Sequence, residues 1–258
     1  MKIPVKIIVL TFLLPVDLTT AQIQSIPSQR IPATQLSPKA RIRYEAPSNQ
    51  EQQSRRIPGG ISNHCLRDAR NYGRKNLTDL IPVNNPGLTT SERPTLFFYI
   101  PKTPKTSVKA FEFVLMDANE QLIYKGTFKV NNQPGVFSLS LPANSEKSLL
   151  EIDQEYRWYF SAICDRSERS RDLVVTGWFK RIASNNNLSA KLKTASPRKR
   201  AAVYAASGIW YDSLTTLAQA RHQHKSDVEL KTDWQELLQS VGLSEIYQEP
   251  LLGDLEVK

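Results

Sequence analysis

From about Pro94 onward apolar and polar residues alternate with period two, the signature of strands with one face turned to a core. Between Pro94 and Pro101, Leu96, Phe98 and Ile100 share a face. Phe111, Phe113 and Leu115 alternate with Glu112, Val114 and Met116; further runs carry Tyr124, Phe128 and Val130, then Phe137, Leu139 and Leu141. The clearest alternation is Tyr156 to Cys164, where Tyr156, Trp158, Phe160, Ala162 and Cys164 point one way and Arg157, Tyr159 and Ser161 the other. A loop over Asp165–Asp172 leads into a partner run, Leu173–Ile182. Short strands bounded by Pro, Gly and Asn turns predict an antiparallel β-sandwich. Tyr156, opening a strand soon after Leu149 and Leu150, is reminiscent of the tyrosine placement in immunoglobulin-like and fibronectin-like domains.

Beyond Ile182 the period lengthens to that of a helix. Asn187 is a candidate cap for a helix carrying Leu188, Leu192 and Ala195. Ser196-Pro197 restarts the chain as N-cap and first helical residue, and Gly208 is a natural stop. Trp210, Leu214, Leu217 and Arg221 recur at helical spacing, followed by Leu230, Trp234, Leu237, Leu238 and Val241 on one face. Ser226 with Glu229 reads as a capping box and Gly242 as a terminator. The fold class is therefore α+β in two segregated parts: a sandwich over residues 55–183, then a module of three to four helices over 184–258.

Upstream of the strands the pattern disappears. Residues 22–54 are rich in Pro, Gln and Ser with scattered Arg30, Lys39, Arg41 and Arg43, and read as a disordered basic tail. Before them, Lys2 and Lys6 precede an apolar run from Ile7 to Leu14 and a small-residue site at Thr19-Thr20-Ala21, the layout of a signal peptide over residues 1–21. The run is shorter than the roughly 20 residues a membrane-spanning helix needs, and no later segment approaches that length. The expected compartment is the periplasm or the outside of the cell. The formal net charge of +9 favours anionic partners; export turns that expectation away from nucleic acid and toward envelope proteins or anionic polymers.

The chain has two cysteines, Cys65 and Cys164. An even count in an exported chain points to a disulfide, with two separate buried thiols as the alternative. Closing a loop of about 100 residues would contribute about 4–5 kcal/mol in the chain-entropy model.

Several motifs occur in order: Arg55-Arg56-Ile57-Pro58-Gly59-Gly60; Gly87-Leu88-Thr89-Thr90-Ser91-Glu92-Arg93-Pro94; Tyr156-Arg157-Trp158-Tyr159-Phe160-Ser161 with Cys164-Asp165; and Gly208-Ile209-Trp210-Tyr211-Asp212. In these the chain resembles the cyanobacterial family catalogued as domain of unknown function 928, from about Arg55 to Leu251. That resemblance implies a Gram-negative-type envelope and transfers no activity. A second resemblance, to a single tetratricopeptide-type helical pair, rests on Tyr204, Gly208, Leu217 and Ala220, although Ser213 replaces the usual small alanine and Lys225 falls near the expected proline. A generic helical hairpin fits the same residues.

No catalytic constellation emerges. There is no nucleophile elbow, phosphate loop or dinucleotide fingerprint, so no cofactor is expected. His64 beside Cys65 would point away from it. Glu112, Asp117, Asp153 and Asp165 lie on separate elements. His222 and His224, two apart on a helix, do not share a side, and no metal site is expected. The candidate binding surface consists of Ser91, Glu92 and Arg93 in a loop, with Arg198, Lys199 and Arg200 on the helices. The leading expectation is a non-enzymatic interaction or adaptor protein of the envelope that docks through its helices. On that expectation, deleting residues 184–258 abolishes capture and leaves the sandwich folded. The alternative is polysaccharide or peptidoglycan binding by the sandwich, with Tyr159 and Trp178 as stacking platforms; an envelope hydrolase is a third reading.

Overall fold

A computed structural model describes residues 41–47, 75–83, 87–102, 107–130, 133–142 and 149–258. The signal-peptide segment, the Arg55–Gly60 motif and Cys65 lie outside the described residues. Strands β1 (Thr78–Asp79), β2 (Gly87–Thr89), β3 (Thr95–Ile100), β4 (Ala110–Asp117), β5 (Leu122–Phe128), β6 (Gly135–Ser140), β7 (Glu155–Ile163) and β8 (Leu173–Arg181) come first. Helices α1 (Asn186–Lys193), α2 (Pro197–Ala206), α3 (Trp210–Gln223) and α4 (Val228–Gln239) follow, and β9 (Leu251–Asp254) closes the chain. One sheet has the order β1-β3-β6-β9 and the other β2-β8-β7-β4-β5.

The alternation read from the sequence places the core between the sheets. Phe98 of β3 stacks on Phe160 of β7 with ring centroids 4.1 Å apart and meets Trp158 edge-on at 5.4 Å. Phe111, Phe113, Leu115, Val175 and Phe179 complete that layer, all buried. In β3, however, Phe97 and Tyr99 are buried as well as Leu96, Phe98 and Ile100. The reason is a third layer. Helix α3 lies against β2 and β3, and Phe97 meets Trp234 of α4 edge-on at 6.4 Å. Trp210, Leu214, Leu217, Trp234, Leu237 and Leu238 are all buried. Each such side chain contributes about 1.5–3 kcal/mol on leaving water. The 183/184 boundary is a change of element type, and the core runs across it.

Two pairings correct the antiparallel expectation: β2 runs parallel to β8, and β6 parallel to β9. Parallel neighbours need a long crossover, and the connection from β6 to β9 runs through β7, β8 and all four helices. The 184–258 segment is accordingly not wholly helical. After β9 the chain moves on to the other sheet, where Lys129 N–H donates to Glu256 O at 2.8 Å and Lys258 N–H to Thr127 O at 2.9 Å. The C-terminus thus fastens the edge strand β5.

Helix termini follow the expected chemistry with two shifts. Ser196 caps α2, and Gly208 takes a φ of +71° just after it, a conformation open to glycine at little steric cost. The cap of α1 is Asn185, not Asn187, accepting Leu188 N–H at 2.8 Å. That of α4 is Asp227, not Ser226: its carboxylate accepts Glu229 N–H and Leu230 N–H, so the Ser226–Glu229 box is replaced by a single acidic cap.

Residues 41–47 correct the tail expectation. Ile42 is 1% exposed, and Tyr44 packs edge-on against Trp210 at 5.2 Å. Tyr44 N–H donates to Ser240 Oγ at 3.0 Å and Glu45 N–H to Ala205 O at 3.0 Å. Arg41 pairs with Glu236 at 3.2 Å, while Arg43 stays exposed. A short apolar alternation, Ile42-x-Tyr44, is enough to dock a strap across the helices inside an otherwise polar stretch.

Candidate functional site

The residues singled out from the sequence do not converge. Ser91, Glu92 and Arg93 build the loop between β2 and β3. Thr89 Oγ1 accepts Ser91 N–H, Ser91 Oγ accepts Arg93 N–H, and Arg93 donates through Nε to Pro142 O at 3.1 Å. Arg93 also pairs with Glu92 at 3.4 Å. Arg198 holds both carboxylate oxygens of Asp233, a residue 2% exposed, and so ties α2 to α4. Lys199 and Arg200 are exposed on α2.

Two of the ordered motifs do meet. Asp212, in the first turn of α3, accepts hydrogen bonds from Thr89 Oγ1 at 2.7 Å, Thr90 N–H at 3.1 Å and Thr90 Oγ1 at 2.5 Å. Burial raises its carboxyl above the ordinary range, and the threonine hydrogen bonds pull in the opposite direction. Beside it a Cβ on Gly87 would overlap the Tyr211 ring. Gly87, Thr89, Thr90, Tyr211 and Asp212 therefore form a clamp between β2 and α3, and the motif residues act in packing.

Other carboxylates cap turns. Asp117 Oδ1 accepts Asn119 N–H and Gln121 N–H, and Asp165 Oδ1 accepts both Ser167 N–H and its hydroxyl. His222 lines a cleft of about 320 Å³ between α3 and the four-stranded sheet, with Gln219, Gln223, Ser138 and Asp254. Among the described residues no group of three or more His, Cys, Asp or Glu is placed to hold a metal ion. Cys164 N–H donates to Asp172 Oδ1 at 3.0 Å.

The side chains with the most coherent arrangement lie on the outer face of the five-stranded sheet. Register places Leu122, Met116, Arg157 and Trp178 in one row across β5, β4, β7 and β8. The next row is Lys125, Val114, Tyr159 and Thr176. Arg157 Cζ lies 4.9 Å from the Tyr159 ring centroid and 5.2 Å from that of Trp178. Both rings are half-buried, and Leu122 is 59% exposed. At about 4.8 Å per strand the row spans about 14 Å. Cation–π contacts of this kind contribute about 0.5–1 kcal/mol each at exposed sites and hold the three side chains in one conformation.

A charge network bounds this face. Glu112 accepts from Arg169 at 2.8 Å and pairs with Lys125 at 3.1 Å. Burial alone would raise the Glu112 carboxyl, but the hydrogen bonds and charges of Arg169 and Lys125 outweigh it and hold the group below its ordinary value. Tyr159 and Trp178 were legible as outward aromatics in one register. Arg157 was not read as part of a site, although an Arg two residues from an aromatic on the polar face of a strand carries that signal.

The sequence matches the family described as Domain of Unknown Function (DUF928) over residues 51–251. No curated protein and no solved structure matches the chain.

Proposed function

Because the chain belongs to the DUF928 family, whose description assigns no activity, we propose from its surfaces that it is a non-enzymatic, exported envelope protein that binds polysaccharide. The observation that carries this reading is the outer face of the five-stranded sheet. There Tyr159 and Trp178 flank Arg157 beside Val114, Met116 and Leu122. Flat rows of aromatic and apolar side chains suit the C–H faces of sugar rings. The same reading places the protein in a cyanobacterial envelope, with a Cys65–Cys164 bridge suited to an oxidising compartment. Docking of a protein partner through the helices is less well supported. Their apolar faces pack on β2 and β3 and beneath the 41–47 strap.

Sedimentation of the mature chain with insoluble peptidoglycan and exopolysaccharide fractions tests the proposal. The double variant Y159A/W178A is expected to lose at least tenfold in retention while its far-UV circular dichroism is unchanged. Equal retention of the variant, or none of the parent chain, would overturn the reading.

A further inference from the structure

Resting on that reading, we infer that the polysaccharide is acidic, and that Arg157 is the residue that recognises its carboxylates. Arg157 is placed at the centre of the face, with ring centroids at 4.9 and 5.2 Å on two sides. Its Nε is buried with no hydrogen-bond partner, and no carboxylate pairs with it among the described residues. A guanidinium held against two rings keeps its plane fixed, and with Nε buried a carboxylate arriving from solvent would meet its terminal nitrogens.

Among the described residues the neighbouring polar groups are engaged elsewhere. Glu112, an acidic side chain on the same face, is engaged by both Arg169 and Lys125. Thr176 Oγ1 donates to Trp158 O at 2.7 Å, which commits that hydroxyl to the sheet. Glu155 stands at the end of β7, directly opposite Lys180 in the register. Among the described residues, the centre of the face therefore keeps one uncompensated positive charge, ringed by aromatic and apolar groups. A neutral glycan would satisfy the rings and leave the charge unused. A uronate-bearing chain satisfies both at once: its ring faces lie along Tyr159 and Trp178, and one carboxylate meets the guanidinium. The +9 net charge of the whole chain acts in the same sense at longer range.

The test is binding of the mature chain to polygalacturonate and alginate, each beside its carboxyl-reduced counterpart, in which every uronate has become a neutral sugar. The acidic forms are expected to bind at least tenfold more tightly, with the preference shrinking as salt rises from 50 to 300 mM. R157Q should abolish the preference, and R157K should keep part of it, because lysine retains the charge without the planar fork. Thermal melts of both variants report whether the sheet is intact, and R157K carries the comparison if R157Q is destabilised. Equal binding to acidic and reduced forms, or a preference unchanged in R157Q, overturns the acidic inference while the sheet-face reading stands. Retention on none of these polymers, nor on the peptidoglycan and exopolysaccharide fractions, overturns both.

Discussion

Asp212 shows how much a single side chain can hold. It receives three hydrogen bonds from Thr89 and Thr90, yet burial leaves its carboxyl raised in the folded state. Above the ordinary Asp value of about 3.9, the native state then binds more protons than the unfolded one. By linkage, stability falls as pH rises from that value through the folded one. The melting temperature of the parent chain should therefore drop relative to that of D212N across this window, and the two profiles should run parallel above it. Parallel profiles throughout would show that the threonine hydrogen bonds cancel the burial penalty. Arg157 belongs to the same scale but has the opposite situation: among the described residues no carboxylate pairs with its charge.

Among the elements, the 41–47 strap is the one most at odds with composition. Ile42 is buried, and the Tyr44 ring and the strap's two main-chain donors reach residues of the helical segment or just beyond it. A segment tied down this way can open without unfolding the sheets. Truncating Ile42 to Ala costs about 2–4 kcal/mol in a fully buried setting, and local opening of the strap sets the upper limit here. Hydrogen exchange checks it: in I42A the amides of Tyr44 and Glu45 should lose protection, while those of β4 and β7 keep theirs. Loss across the sheets as well would mean that the strap is part of the cooperative core. The helices themselves were readable from spacing and caps, because a buried stripe imposes the helical period wherever it lies. Their docking partner was not, since the same stripe serves equally well against a protein partner or against a sheet of the same chain.

For the molecule as a whole, the three layers make the sandwich dependent on the helices. Phe97 and Tyr99 face outward from the four-stranded sheet and are buried only because helices and the C-terminal segment cover them, and β9 supplies the partner of β6. Deleting residues 184–258 uncovers that face and opens an edge, contrary to the expectation that the sandwich survives alone. The truncated chain should aggregate or lose near-UV circular dichroism during gel filtration, whereas a monodisperse product with native near-UV signal would show that the sheets are self-sufficient. The face proposed to bind polysaccharide lies on the outside of the five-stranded sheet, where Tyr159 and Trp178 are half-buried.

By itself the sequence determined the strands from Thr95 to Arg181, the four helical stretches and, for most strands, the side that meets the core between the sheets, while that of β8 stayed open. These follow from periodicity, which records burial of one face at a time. Only the tertiary structure decided that β3 is buried on both faces, that residues 251–254 return as a strand beside β6, that Thr89 and Thr90 meet Asp212, and that Arg157 stands between two rings. Each of these depends on which distant element covers a face or completes a row. Contacts between segments more than 100 residues apart, such as Asp212 with Thr89, leave no trace in local spacing. The proposed site spans a shorter stretch, but its residues come from four strands and their meeting is likewise a property of register.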